Sequence, residues 1–351
     1  MLNMLTPLPQ GAYPDGVTGD ERALVTRLLR KVAGAGLRVG SLPVIHLYVA
    51  LKSKRLALLT GPAHTGKIAL IESFGQALTG GARLQCQMLV GHAWWAGKSG
   101  DVALCTEAQA RLNAGKILAL IEEASLPENA HRVYLACLSR ISPAEVVGLM
   151  QEIALQLQSG SMLSLHGLPL KRPVPFPPNL RLIATMDTER LDWADAQLLS
   201  QAALVEWLAR PALPGDLVPP APCLADGQRL FLQACVQDVP AARAKLRRVL
   251  GAWPAAFAPL ARIATVLRGA GVNPAAVIGD VLVFLANAWT TTGQGLFDPA
   301  PVRNLALAAD LALAQALHPL RDLPPVLRQQ VREVLHDQQC VLAAAAIERL
   351  G

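Results

Sequence analysis

Aromatic residues make up only 4% of this 351-residue chain. The core is therefore expected to be aliphatic, and the Ala/Leu-rich tracts towards the C-terminus favour helix. The six cysteines (Cys86, Cys105, Cys137, Cys223, Cys235, Cys340) contain no C-x-x-C pair. That excludes a paired-cysteine zinc pattern and predicts reduced, mostly buried thiols. G-x-S-x-G and H-E-x-x-H are both missing, which removes nucleophile-elbow and zinc-protease chemistry. His92, His131, His166 and His318 are spread along the chain without ligand spacing, so no metal site is expected from them. Although mean hydropathy is positive, no apolar run approaches the ~18 to 20 uncharged residues that span a bilayer. The N-terminus also lacks a basic region followed by an apolar core. The expectation is a soluble, cytoplasmic protein with no membrane contact. The net charge of +6 would tolerate an acidic partner such as nucleic acid, but basic residues are dispersed apart from small groups such as Lys52–Arg55 and Arg243–Arg248.

What is present is concentrated in one stretch, RLALLTGPAHTGKIALIESFGQAL, from Arg55 to Leu78. An apolar run, Leu56–Leu59, has the length of a buried strand. A Gly/Pro-bounded loop follows, and then Ile68, Ile71, Phe74 and Leu78 recur at helical spacing. The loop, Gly61, Pro62, Ala63, His64, Thr65, Gly66 and Lys67, spells G-x-x-x-x-G-K, the skeleton of a phosphate-binding loop. Inward-pointing N–H groups, the positive end of the following helix and a mobile lysine would together hold a phosphate chain. The next position calls for a Ser or Thr hydroxyl on Mg²⁺, and Ile68 has none. An ordinary strand-to-helix turn is the bland alternative.

Two further strands are predicted. In KILALIEEASLP (Lys116–Pro127), Ile117–Ile121 reads as a buried strand ending in Glu122 and Glu123. Behind a phosphate loop, two acids at a strand end suit a nucleotide hydrolase, one for the Mg²⁺ shell and one to polarise water; they are otherwise a solvated terminus. The third strand is NLRLIATMDT, whose end, Thr185–Thr188, would lie beside the loop in a parallel sheet. Around these, helices are expected from Asp20 to Gly34, from a Ser41 cap to Lys54, over Thr106–Ala114, Glu128–Ser139 and Pro143–Gln158, and a further strand over Arg83–Val90. Trp94 and Trp95, in a turn-rich loop, mark either a binding surface or a packed anchor. Pro-rich Pro211–Pro222 is the best candidate boundary, and everything from Gly227 onward reads helical.

The ordered set GPAHTGKI, IEEASLP and PPNLRLIATMD, followed by helices and by HPLRDLP, resembles the McrB-like, MoxR-related branch of AAA+ ATPases from about Ser41 to the C-terminus. The resemblance implies an α/β fold, a P-loop αβα sandwich with a parallel sheet over 41–215, preceded by a lead-in and helix over 1–40 and followed by an all-helical lid over 216–351. It implies ATP or GTP as ligand and other AAA+ subunits in a homo- or hetero-oligomeric ring as partners. A nuclease or effector subunit and an anti-phage or restriction-type setting come with it. It also makes Glu123 the counterpart of the water-activating acid and Glu122 that of the metal-shell Asp. Asp187 falls at the sensor asparagine, Gln201 at the inter-subunit arginine, and no lid arginine stands near Ala275–Asp280. His64 replaces a glycine, where a Cβ would strain a backbone that wants positive φ.

These departures oppose hydrolysis, since a missing arginine finger alone is worth about 10³ to 10⁵ in rate. Catalysis by Glu123, Glu122 and Asp187 is expected to be weak or lost, with Mg²⁺ poorly supported, and a structural or regulatory role follows. The rival expectations are an active motor in which Glu122 and Asp187 hold the metal, and a nucleic-acid-binding module using Lys52, Lys54, Arg55 and the Trp94/Trp95 loop.

Overall fold

A computed structural model of the chain describes residues 20–35, 37–38, 40–82, 84–90, 107–139, 143–163, 174–187, 196–206, 210–211, 226–251, 257–318 and 323–348. It divides after Gln233 into two compact units. The boundary expected at 215/216 lies outside the described residues, as do Trp94 and Trp95.

The first unit is α/β. Its centre is a five-stranded sheet of β2 (Leu56–Gly61), β3 (Cys86–Val90), β4 (Tyr134–Ser139), β7 (Leu180–Asp187) and β8 (Ala202–Glu206), in the order β3-β4-β7-β2-β8 and parallel throughout. Every residue of β2 and β4 is buried, as strands covered on both faces require, and the alternation typical of half-exposed strands is missing for that reason. One face packs on α4 (Glu107–Ala124), α5 (Pro143–Ser159) and α6 (Ala196–Gln201). Leu56, Leu58, Ala136, Leu138, Leu182 and Ala184 meet Ile117, Ile121, Met150 and Leu198 in that core. The other face carries α3 (Lys67–Thr79). A Cβ added to its Gly75 would lie 2.5 Å from Cys86 Sγ and 3.3 Å from Leu135 Cδ1, so only glycine lets the helix approach so closely. α1 (Glu21–Gly34), capped by Asp20, packs in turn on α3 and on α2 (Ser41–Ser53). The cap of α2 is Gly40 rather than Ser41, which is already helical and makes no capping bond. Short pairs, β1 (Leu37–Arg38) with β9 (Arg210–Pro211) and β5 (Met162–Leu163) with β6 (Val174–Pro175), complete the strands described.

Two predicted elements are exchanged. Ile117–Ile121 is not a strand but the middle of α4, and the stretch Glu128–Ser139, expected as a helix, holds a 3₁₀ turn (Pro127–Asn129) and then β4. The physical reason is period. Ala114, Ile117, Leu120, Ile121 and Ala124 are buried at helical spacing, whereas Leu118 is half-buried and Ala119 exposed. Five consecutive apolar residues thus conceal a one-sided helix. The predicted strand Arg83–Val90 forms only over Cys86–Val90, and α4 shields its outer edge: Lys116 donates to Met88 O at 3.0 Å and Asn113 to Val90 O at 3.2 Å.

At the amino ends of the strands, polar side chains buried with their partners join the elements. Glu21 accepts from Lys52 Nζ at 2.6 Å and from Tyr48 Oη at 3.0 Å. Tyr48 meets Phe231 edge-on, with ring centroids 5.3 Å apart, and the Arg181 guanidinium lies 5.7 Å from the Phe231 ring. Phe231 belongs to α7 (Gly227–Ala234), whose Gln228 accepts from Val133 N–H and donates to Thr79 O. That helix therefore packs with the sheet unit.

The second unit is all helical in its described residues: α8 (Val239–Leu250), α9 (Ala258–Gly269), α10 (Ala275–Asn287), α11 (Pro301–Leu317), α12 (Pro325–Asp337) and α13 (Val341–Glu348). Buried Asn304 ties its turns together, donating to Ala288 O and accepting from Phe297 N–H. Asp310 on α11 accepts from the N–H groups of Leu342 and Ala343 at 2.9 and 2.8 Å and so caps α13. Among the described residues no helix is long and apolar enough to cross a membrane.

His46, buried in α2, has its pKa pushed down to about 4 by desolvation. Unfolding lets it bind a proton below its ordinary pKa of 6.5, so stability should fall as pH drops from 6.5 towards 4, by about 3 kcal/mol in all. Denaturant titrations at pH 7.5 and 4.5 check this, and His46→Gln should remove that part of the loss. In the second unit, Asp310→Ala should cost about 1 to 2 kcal/mol, with amide exchange at Leu342 and Ala343 accelerating first.

Candidate phosphate-binding site

β2 delivers the chain to the carboxyl end of the sheet at Gly61, and α3 leaves it from Gly66. Between them the loop closes on itself: Thr65 Oγ1 donates to Pro62 O at 2.8 Å. Gly66, the N-cap of α3, stands at φ 84°, and a Cβ there would lie 2.7 Å from Leu37 Cδ2. Glycine is thus favoured by conformation, and a Cβ would also have to push the Leu37 side chain aside. His64 also sits in the left-handed region, at φ 61° and exposed. A β-substituted residue holds that conformation at a cost of roughly 1 to 2 kcal/mol. No side chain caps the first turn of α3, and no acidic residue occupies it, so its positive end and N–H groups face the loop.

Lys67 supplies the charge. Its ammonium donates to Gly61 O and Pro62 O, both at 2.7 Å, and to Asp187 Oδ1 at 3.0 Å. An ammonium has three protons, and these three bonds use them all. The pairing of β2 with β7 sets the ion pair, because Gly61 stands opposite Asp187 in the register. The lysine side chain is 9% exposed and the aspartate 40%.

The acids expected to complete a hydrolytic site are elsewhere. Glu122 and Glu123 lie in the last turn of α4, not at a strand end. Asn129 Nδ2 donates to Glu123 Oε2 at 3.0 Å and to Glu123 O at 2.9 Å. Glu123 also lies near Tyr134, where burial first and the carboxylate second push the phenol pKa up. Tyr134 begins β4, so both acids lie towards the amino end of the sheet. The phosphate loop is at the carboxyl end, about 17 Å away by strand length. Gln201 is the last residue of α6 and precedes Ala202, which pairs with Leu56 at the start of β2. It too is at the amino end.

β4, between β3 and β7, ends instead at Ser139, a position that sequence reasoning missed. The available signal was Val133–Ser139, VYLACLS, seven residues without a charge, which the more apolar KILALI run overshadowed. Ser139 is buried, and its hydroxyl has no hydrogen-bond partner among the described residues. Thr185 Oγ1 donates to Leu138 O beside it at 3.3 Å.

A phosphate chain fits the uncapped helix start and the lysine. Mg²⁺ finds no fitting ligand set among the described residues: Ile68 has no hydroxyl, β4 ends without a carboxylate, and Asp187 already holds Lys67. The basic group Lys52–Arg55 is likewise committed inside the protein. Lys52 is fully buried on Glu21, Lys54 donates to Ser200 O at 2.6 Å, and Arg55 donates to Phe176 O at 3.2 Å. No protein-family model matches the chain, and no curated protein matches it.

With Glu123 at the far end of the sheet, Glu123→Gln should leave nucleotide affinity within about twofold of the wild type, a change of under about 0.5 kcal/mol. Equilibrium titration of the two proteins checks this.

Proposed function

We propose that the chain is a non-hydrolysing P-loop subunit of the McrB-like, MoxR-related AAA+ type. In this reading it serves as a structural or regulatory member of an oligomeric assembly, of the anti-phage or restriction class, in which competent neighbours carry out the chemistry. The observation that carries the reading is Lys67: all three of its donors are engaged by the chain, one by the carboxylate of Asp187. Hydrolysis needs a cation directed at the transferring phosphate and an acid to position water. Here the cation is neutralised, and the strand on the far side of β7 ends in Ser139. The loop retains Gly66, the open helix start and its backbone donors, so ATP or GTP can be held without being turned over.

The rival motor reading, with a metal shared by Glu122 and Asp187, has no geometric support, because the two lie at opposite ends of the sheet. The nucleic-acid reading loses Lys52, Lys54 and Arg55 to internal contacts.

The test is nucleotide content and affinity of the purified protein with and without Mg²⁺, followed by phosphate release from the same sample. Binding that is insensitive to Mg²⁺, without turnover, is the expected result. Turnover by the pure protein that disappears in Lys67→Ala would overturn the proposal.

A further inference from the structure

Lys67 is bonded to two neutral loop carbonyls and to one anion, Asp187, at 3.0 Å. A phosphate entering the loop would bring the same kind of anionic oxygen to the same amine. We propose that Asp187 is a built-in competitor for that phosphate: a nucleoside di- or triphosphate binds only by displacing the aspartate from Lys67. The inference rests on reading Gly61–Lys67 as a phosphate cradle and adds to it what controls access.

Three features of the site support it. Asp187 is the last residue of β7 and 40% exposed, whereas Lys67 is 9% exposed. The carboxylate can therefore turn into water while the ammonium stays in place beneath the loop. Secondly, Asp187 opposes a polyphosphate in two ways, by taking one of three donors and by placing a like charge beside the incoming oxygens. The loop carbonyls do only the first.

The third feature is Ser139, an independent sign that this end of the sheet is built to meet a polar group. Its hydroxyl is buried and has no hydrogen-bond partner among the described residues, which is uncommon for a polar group in a folded interior. Side chains alternate between the faces of a strand. Tyr134, Ala136 and Leu138 of β4, with Leu182, Ala184 and Met186 of β7, belong to the core beneath α4 and α5. Ser139, Thr185 and Asp187 therefore share the opposite face, the one covered by α3. An unused hydroxyl thus stands on the same face, at the same end and one strand away from the aspartate that clasps the lysine. Displacing Asp187 would open Lys67 on the side towards Ser139.

The experiment is calorimetric titration of ADP and ATP, in EDTA and at fixed low salt, into wild-type protein, Asp187→Asn, Asp187→Ala and Lys67→Ala. Asp187→Asn keeps the shape and removes the charge; Asp187→Ala removes the group. Both should bind at least about tenfold more tightly than wild type, the scale of one charge-assisted hydrogen bond, and Lys67→Ala should bind least. Melting curves on the same samples identify a variant that has lost its fold, in which case the other aspartate variant carries the comparison. Affinity unchanged or weakened in the folded aspartate variants overturns the proposal, as does an absence of binding in all four proteins. Failure here is separable from failure of the non-hydrolysing reading. That reading depends on phosphate release by the wild type, whereas this one depends only on the ratio of affinities.

Discussion

The parallel pairing of β2 with β7 is the constraint on which the site depends. Six register pairs run from Leu56 opposite Leu182 to Gly61 opposite Asp187; β2 is buried throughout and β7 from Leu180 to Ala184. A slip of one residue would turn Asp187 to the other face and send apolar side chains out of both layers. The core therefore holds the register, and the register holds an aspartate against the loop lysine. Local chemistry at Lys67 is in this sense a consequence of packing that extends across the whole sheet.

The two ends of the sheet do different work. At the carboxyl end, polar groups are less committed: an uncapped helix start, a carboxylate 40% exposed, and a buried hydroxyl with no partner among the described residues. At the amino end they are buried and mostly engaged, although Glu21 Oε2 and Asn179 Oδ1 have no partner among the described residues. Glu21, Lys52 and Tyr48 form one cluster, and Arg181 donates to Leu51 O at 2.7 Å while lying over Phe231. Buried ion pairs add little net stability over apolar packing, but removing one partner costs about 3 to 5 kcal/mol. That asymmetry makes the amino end costly to disrupt by substitution. The conspicuous basic group at Lys52–Arg55 belongs to it, since Lys52, Lys54 and Arg55 each donate to an internal partner.

Much of the fold could be read in advance. The strand and helix around Gly61–Lys67, β7 and the helical character of the chain from Gly227 onward agree with their patterns. The misreading at Ile117–Ile121 arose because a short apolar run carries no period of its own. What separates helix from strand there is that Ala119 is exposed and Leu118 half-buried, facts that exist only once a sheet is present to face. The misplacement of Glu122 and Glu123 followed directly. They looked like strand-end acids because the run before them looked like a strand.

By itself, the sequence determined the residues whose effect is local. Gly66 must take a left-handed conformation to start α3, Ile68 offers no hydroxyl, and His64 holds a strained backbone wherever the loop lies. Only the tertiary structure decided which charges meet. That Lys67 is neutralised by Asp187, 120 positions away, that Glu123 lies at the wrong end of the sheet, and that Ser139 ends the neighbouring strand all depend on strand order and register. Those are set by which apolar faces can be buried together, an energy summed over the whole core that no single segment contains.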